Sequence, residues 1–280
     1  MPEALHHAAG DQASGLRRLF GARVPQVIAF VSGREACGRT TLLVQTAAAL
    51  ARAGHGVVVI DENSGPNNAL SAFGVTSRYD LLDLVQQVRS AQVIMQTAAP
   101  LVRTVAASRL ADQLLRVDAA SAAYLNGSLR QIQQGASFVM IDCASPRSGQ
   151  VSPLALAARH MAVVVAAQGP AITHAYALIK RLARQREDFQ VVITRARSEE
   201  HAQAIFDNLR RTARDHLGVR LDYLGSARVP VTDHLADALQ IRLPLAAGDL
   251  DGGGFFPFEA RPGPRRRVSA HATAPLESVV

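Results

Sequence analysis

The fold of this 280-residue chain is decided by residues 27–40, which read Val27-Ile-Ala-Phe-Val-Ser-Gly33-Arg-Glu-Ala-Cys-Gly38-Arg39-Thr40. The first five residues form an apolar run typical of a buried strand, and residues 40–53 continue as an Ala- and Leu-rich segment of helical pattern. The part from Gly33 to Thr40 keeps the spacing G-x-x-x-x-G-K-[ST], with Arg39 in the lysine position. A strand, a tight loop and a helix N-terminus in this order direct backbone N–H groups at a phosphate. The stretch therefore predicts a phosphate-binding loop.

Short apolar runs alternate with helical segments along the rest of the chain. We expect strands at residues 57–60, 101–106, 138–141, 162–166, 189–193 and 221–225, and helices at residues 172–184, 199–217 and 233–239, with a mostly helical region at 78–135. This alternation predicts an α/β fold of the P-loop NTPase type, with a mostly parallel sheet and helices on both faces. We predict three parts: an N-terminal segment and linker (1–24), the main domain (25–247) and a flexible basic tail (248–280).

The net charge of +7 does not by itself indicate nucleic-acid binding. Of the 30 basic residues only Lys180 is a lysine, and the 29 arginines are scattered rather than clustered in a stripe. A substituted arginine in this chain can therefore reflect a composition bias. The chain has two cysteines, no apolar leader and no membrane-length apolar run, so we expect a cytoplasmic protein without structural zinc.

The loop resembles the deviant Walker A motif K-G-G-x-G-K-[ST] of the MinD/ParA family of ATPases. Arg34 falls on the signature lysine of that family, which reaches the phosphates of a partner subunit, and Arg39 falls on the ordinary P-loop lysine. The resemblance implies that ATP and Mg²⁺ are the cofactors, with Thr40 and Asp142 as magnesium ligands. The implied nucleotide-binding residues are Gly33, Arg34, Gly38, Arg39, Thr40, Thr41 and Thr194.

Within that family, two segments resemble the FlhG-type regulators of flagellar number and placement. Residues 11–17 match the element D-Q-A-x-x-L-R, and residues 172–180 (ITHAYALIK) are similar to I-T-D-A-Y-A-L-I-K. The resemblance implies stimulation of FlhF, a GTPase of the signal-recognition-particle type that marks the flagellar site. The implied partner-binding residues are Asp11, Gln12, Ala13, Leu16 and Arg17.

The hydrolytic positions depart from the family pattern. The family has D-x-D after the second strand, whereas this chain has Asp61-Glu62-Asn63, so an amide replaces the carboxylate that orients the attacking water. Thr194 stands where the family has an Asn near the adenine, and Glu35 places an acidic side chain in a loop that binds anions. Asp61 and Asp142 remain. We therefore predict that ATP binding survives and that hydrolysis is weak or lost.

Three functions remain open from the sequence alone. The first is a regulator that acts through residues 11–17, and the second is an active ATPase that dimerises on ATP, with Arg34 and Arg39 replacing lysines. The third is a DNA-partitioning protein of the ParA type, which only the positive charge favours. The aromatic and basic residues of the tail predict at most weak contact with an anionic membrane, since Pro257 and its neighbouring prolines and glycines oppose a helix. A peripheral location at the membrane or cell pole is compatible with that contact.

Overall fold

The structure is a computed structural model that describes residues 24–113, 118–144 and 150–227, together with Leu239 and Phe255. Its strands are β1 Gln26–Ser32, β2 Val57–Asp61, β3 Gln96–Ala99, β4 Val102–Ala106, β5 Phe138–Asp142, β6 His160–Ala166, β7 Asp188–Thr194 and β8 Arg220–Ala227. Its helices are α1 Arg39–Arg52, α2 Ala69–Ala72, α3 Leu81–Val85, α4 Ala91–Ile94, α5 Ser108–Gln113, α6 Ala119–Ile132, α7 Pro153–Leu156, α8 Gly169–Leu182 and α9 Glu199–Leu217.

All eight strands belong to one sheet, in the order β3-β4-β2-β5-β1-β6-β7-β8. Every pairing is parallel except that of the edge strand β3 with β4. Strand β1 lies between β5 and β6. The strands β2 to β5 lie on one side of β1 and the strands β6 to β8 lie on the other, so the order of the strands reverses at β1. Ligands bind at such a switch point, outside the carboxyl ends of the strands. The register also places Asp61 opposite Asp142 at that end.

The central strands are buried on both faces because successive side chains alternate between two apolar clusters. In β1, Val27, Ala29 and Val31 pack into one cluster with residues of α6, α8 and α9. Ile28 and Phe30 pack into the other cluster, largely with residues of α1. The predicted α/β architecture, a mostly parallel sheet with helices on both faces, is therefore confirmed.

The region 78–135 differs most from its prediction. Its expected helical character is divided among four helices, α3 to α6, and a strand that the sequence did not indicate, β3, lies between them. Strand β3 is four residues long and half-exposed, and its sequence QTAA carries no apolar run. It forms because the turn through Leu101, a residue with a φ of 62°, returns the chain antiparallel onto β4. Such an edge strand depends on its neighbour rather than on its own composition.

Several sequence predictions concern residues outside those described, including the proposed partner-binding residues 11–17 and most of the helix expected at 233–239. Leu239, the last residue of the helix expected at 233–239, is helical and fully buried. Phe255 forms an antiparallel bridge with Ala158 and packs against the first apolar cluster. The other residues of the tail predicted from residue 248 onward lie outside those described. Among the described residues, no helix is long and apolar enough to cross a bilayer.

Candidate functional site

The phosphate loop connects β1 to α1 and depends on two glycines. Gly38 adopts a left-handed conformation, φ 83°, and accepts the first hydrogen bond of α1 from the Leu42 amide at 2.8 Å. Gly33 lies against the backbone of α8, since a Cβ there would be 2.4 Å from the carbonyl carbon of His174. Ala36 also has a positive φ, 59°, a conformation that glycine tolerates better than alanine.

The end of β7 also contacts the phosphate loop. The Thr194 hydroxyl donates to the Cys37 carbonyl at 2.8 Å, and both residues are buried. Ser32, at the end of β1, donates to the Arg34 carbonyl at 2.9 Å. Thr194 was predicted to lie near an adenine, and the structure gives it a supporting role under the loop. A hydroxyl in this position satisfies a carbonyl that the turn would otherwise leave unpaired.

Arg39 forms the central ion pair of the site. Its Nε lies 2.6 Å from Asp142 Oδ1, and its Nη1 donates to Ser32 Oγ at 3.2 Å. The Arg39 side chain is 8% exposed and Asp142 is fully buried. Burial works against the charged guanidinium, but the charge and hydrogen bond of Asp142 outweigh it and raise the pKa of Arg39 above its ordinary value. The predicted phosphate-binding arginine therefore faces a carboxylate beneath the loop.

Asp142 and Thr40 were predicted as magnesium ligands, and the structure brings them together. The Thr40 hydroxyl donates to Asp142 Oδ2 at 2.7 Å, while Arg39 holds Oδ1. Both carboxylate oxygens thus already accept a strong hydrogen bond inside the protein. Among the described residues, no group of three His, Cys, Asp or Glu side chains is placed to hold a metal ion. In this arrangement the residues do not fit Mg²⁺, which requires near-octahedral oxygen ligands at about 2.1 Å.

Asp61 organises the segment that follows β2. Its two carboxylate oxygens accept from the Asn63 amide at 2.9 Å and from the Leu70 amide at 3.0 Å. Burial, together with the nearby charge of Asp142, raises the pKa of Asp61 to about 6. The Asn63 side-chain oxygen accepts from the Gly65 amide at 3.0 Å. The residue predicted to orient water is thus engaged in a local turn of its own loop.

Glu62 is a site residue that the sequence interpretation left without a role. It is 2% exposed and accepts a hydrogen bond from Ser152, the N-cap residue of α7. Burial raises its pKa to about 7, although the Ser152 hydrogen bond acts in the opposite direction. The signal available in the sequence was an acidic residue directly after an apolar strand. Its burial depends on a partner 90 residues away, which no local pattern reveals.

A cavity of about 470 Å³ opens above the loop. It is lined by Ser32, Glu35, Ala36, Cys37, Gly38, Arg39, Thr40, Thr41, Asn63, Gly65, Pro66, Asn67 and Arg195. Five predicted site residues lie on this wall: Gly38, Arg39, Thr40, Thr41 and Asn63. Five other predicted site residues do not line the cavity: Gly33, Arg34, Asp61, Asp142 and Thr194. Of these, Arg34 is exposed next to the lining residue Glu35.

Arg195 is a further wall residue that the sequence analysis did not single out. It directly follows the end of β7, is exposed and has a φ of 58°. With Ala36, it is one of two non-glycine residues of this wall in the left-handed region. Such strain is a feature of binding sites more often than of ordinary loops. The wall therefore carries the cations Arg39 and Arg195 and the anion Glu35, together with the N-terminus of the 14-residue helix α1.

A family model described as an AAA domain matches residues 25–193 of the chain. The chain belongs to this AAA domain family. The matched part of the AAA domain includes the phosphate loop, Asp61, Asp142 and nearly all of β7. It therefore covers the candidate site apart from Thr194, the last residue of β7, and Arg195 after it.

The relatives of this AAA domain agree with the predicted MinD/ParA type. The chain is 27% identical over 217 residues to the antiactivator FleN of Pseudomonas aeruginosa, a match that covers 77% of each protein. Its fold is similar to a chain of the MinC:MinD cell division protein complex of Aquifex aeolicus, with a TM-score of 0.61, 17% identity, and coverage of 80% of this chain and 98% of that one. A putative plasmid partition protein from Borrelia burgdorferi, bound to AMPPNP, gives a TM-score of 0.59 at 12% identity and covers 79% and 100%. The predicted family resemblance is thus confirmed.

Proposed function

We propose that this protein is a MinD-like regulator of flagellar number and placement that binds ATP with weak or no hydrolysis. It acts on an FlhF-like GTPase through the segment Asp11, Gln12, Ala13, Leu16 and Arg17. The proposal is supported by the likeness to FleN, whose name describes an antiactivator.

The proposal of weak or absent ATP hydrolysis rests mainly on the ion pair between Arg39 and Asp142. A P-loop lysine acts as a mobile point charge on the β- and γ-phosphates, whereas this guanidinium is buried on a carboxylate. Asn63 adds to the defect because it carries no charge and its oxygen accepts from Gly65. Phosphate positioning and water orientation are thus both altered.

Nucleotide binding itself is supported by the cavity and the loop backbone. Gly38 keeps the left-handed turn that directs amides toward the cavity, and the N-terminus of α1 adds its dipole. Mg²⁺ does not fit the described arrangement, so no step of the proposed function passes through it. We place the protein in the cytoplasm, with at most peripheral contact at the pole or membrane.

The alternative is an active ATPase that dimerises on ATP. One observation favours it: Arg34 is exposed beside the cavity, where an arginine from one subunit could reach the phosphates of another. This alternative requires ATP-dependent dimers and turnover that Arg34→Ala abolishes.

One preparation of the full chain tests both functions. ATP binding, ATP hydrolysis and stimulation of an FlhF-type GTPase are measured together, and the full chain is compared with a variant lacking residues 1–20 and with peptide 1–25. The proposal predicts stimulation that depends on residues 11–17, occurs without ATP turnover and is reproduced by the peptide. The matched control is the peptide with Gln12→Ala and Leu16→Ala, which removes two of the proposed contact residues. Stimulation that requires turnover would select the active ATPase instead.

A further inference from the structure

We infer that this site binds its nucleotide as a metal-free anion, because the Arg39 guanidinium already occupies the Asp142 carboxylate that a divalent cation would need. The inference rests on the proposed nucleotide binding and goes beyond it in naming the ionic form of the ligand. It distinguishes this chain from P-loop proteins in which Mg²⁺ bridges the phosphates to the protein.

Both oxygens of the Asp142 carboxylate already accept hydrogen bonds. Arg39 Nε lies 2.6 Å from one oxygen and the Thr40 hydroxyl lies 2.7 Å from the other. Asp142 is fully buried at the end of a central strand, so neither oxygen is available from solvent. The carboxylate that would anchor a metal is already neutralised by an internal cation.

The Arg39 guanidinium is a permanent charge held in a fixed position. An arginine does not lose its proton in a protein, so its positive charge is permanent. Arg39 is also held by Ser32 Oγ at 3.2 Å, and the buried Glu62 attracts it from nearby. A magnesium ion bound to Asp142 would have to displace the guanidinium and break its hydrogen bonds to Asp142 and Ser32. Removing one partner of a buried ion pair is strongly unfavourable.

The cavity offers groups that can bind phosphate without a metal ion. Gly38 and the first turn of α1 line the cavity, where a helix N-terminus favours an anion, and Thr41 in that turn is exposed. Arg195, directly after the end of β7, adds a cation to the lining of the cavity. Glu35 is the one acidic group on this wall, and as an exposed side chain it can turn to solvent.

The test measures the Kd of fluorescently labelled ADP for the full chain, once with Mg²⁺ and once with EDTA. We expect the Kd in EDTA to lie within about threefold of the value in Mg²⁺, or to be lower. Arg39→Lys, which removes the fork that holds Asp142, should bind ADP at least about tenfold more tightly with Mg²⁺ than with EDTA. Arg52→Lys, an exposed substitution at the far end of the same helix, should behave as the wild type.

The outcomes separate this inference from the proposed function. Binding of ADP by the wild type only in Mg²⁺ would overturn the metal-free site and leave nucleotide binding intact. A folded wild type that binds no ADP in either buffer would overturn both. A second measurement needs no variant: Mn²⁺ is titrated into ADP with and without the protein and followed by electron paramagnetic resonance. We expect the protein to add no Mn²⁺ affinity beyond that of ADP, and a tighter Mn²⁺ site on the complex would contradict the inference.

Discussion

The Thr194 hydroxyl at the end of β7 donates to the Cys37 carbonyl of the phosphate loop across 2.8 Å. This hydrogen bond joins one half of the sheet to a loop that follows β1, two strands away in the sheet order. Both residues are buried, so removal of the hydroxyl leaves the carbonyl without this donor in a poorly hydrated place. The hydrogen bond therefore fixes the position of the phosphate loop relative to the end of β7.

Replacement of Thr194 by Val should destabilise the protein by about 1–2 kcal/mol, since the shape is kept and a buried carbonyl loses its donor. Chemical denaturation followed by circular dichroism measures the change. Thr173→Val is the matched control, because the Thr173 hydroxyl lies on an exposed face of α8. An equal effect of both substitutions would mean that the Thr194 hydrogen bond is not the cause.

Gly33→Ala should destabilise the protein by about 1–3 kcal/mol and weaken ADP binding. The added Cβ would lie 2.4 Å from backbone atoms of His174, which cannot move aside as a side-chain end can, so the loop must shift away from α8. Thermal unfolding and the ADP Kd are the measurements. Gly127→Ala is the control: it lies inside α6 with open space around it, and it should stabilise the helix by about 0.5–1 kcal/mol. Normal ADP binding by Gly33→Ala would contradict the close packing of loop and helix.

Glu62→Gln should make the protein less sensitive to rising pH. The pKa of Glu62 is raised from 4.5 to about 7 in the folded state, so the folded protein binds the proton more tightly than the unfolded chain does. Stability is therefore highest below pH 4.5 with respect to this group and falls as the pH rises through about 7.

The magnitude of this effect follows from the size of the shift. Over that pH range the wild type should lose roughly 3 kcal/mol relative to Glu62→Gln. Urea denaturation of both proteins at several pH values measures the difference. Asp61, whose pKa is also raised, titrates in both proteins and cancels in the comparison. A difference that does not vary with pH would show that Glu62 is not the titrating group.

Asn63→Asp alone should not restore ATP hydrolysis, whereas Asn63→Asp combined with Arg39→Lys should raise it above either single variant. The single change returns a carboxylate to the water-orienting position but leaves Asp142 paired with Arg39. The double change addresses both alterations of the site. Phosphate release under saturating ATP is the measurement, with Asp142→Asn added to the double variant as the inactive control. High activity of Asn63→Asp by itself would show that the ion pair does not limit turnover.

Some features of the site followed from the sequence because they depend on local pattern. The apolar runs ending at Ser32, Asp61, Asp142 and Thr194 predicted parallel strands, and the carboxyl ends of such strands meet at one edge of a sheet. The segments 11–17 and 248–280 stay predictions apart from Phe255, whose bridge to Ala158 no composition argument indicated. The pairing of Glu62 with Ser152 was equally hidden, because it joins residues distant in sequence.

The sequence by itself determined the phosphate loop, the parallel sheet and the family, since each is written in short-range spacing and in runs of apolar residues. Only the tertiary structure decided what Arg39 does. Its position in the motif assigns it to a phosphate, whereas its contacts assign it to Asp142, 103 residues further along the chain. The physical reason is that a guanidinium is long, planar and permanently charged, so its partner is the carboxylate that folding buries within its reach.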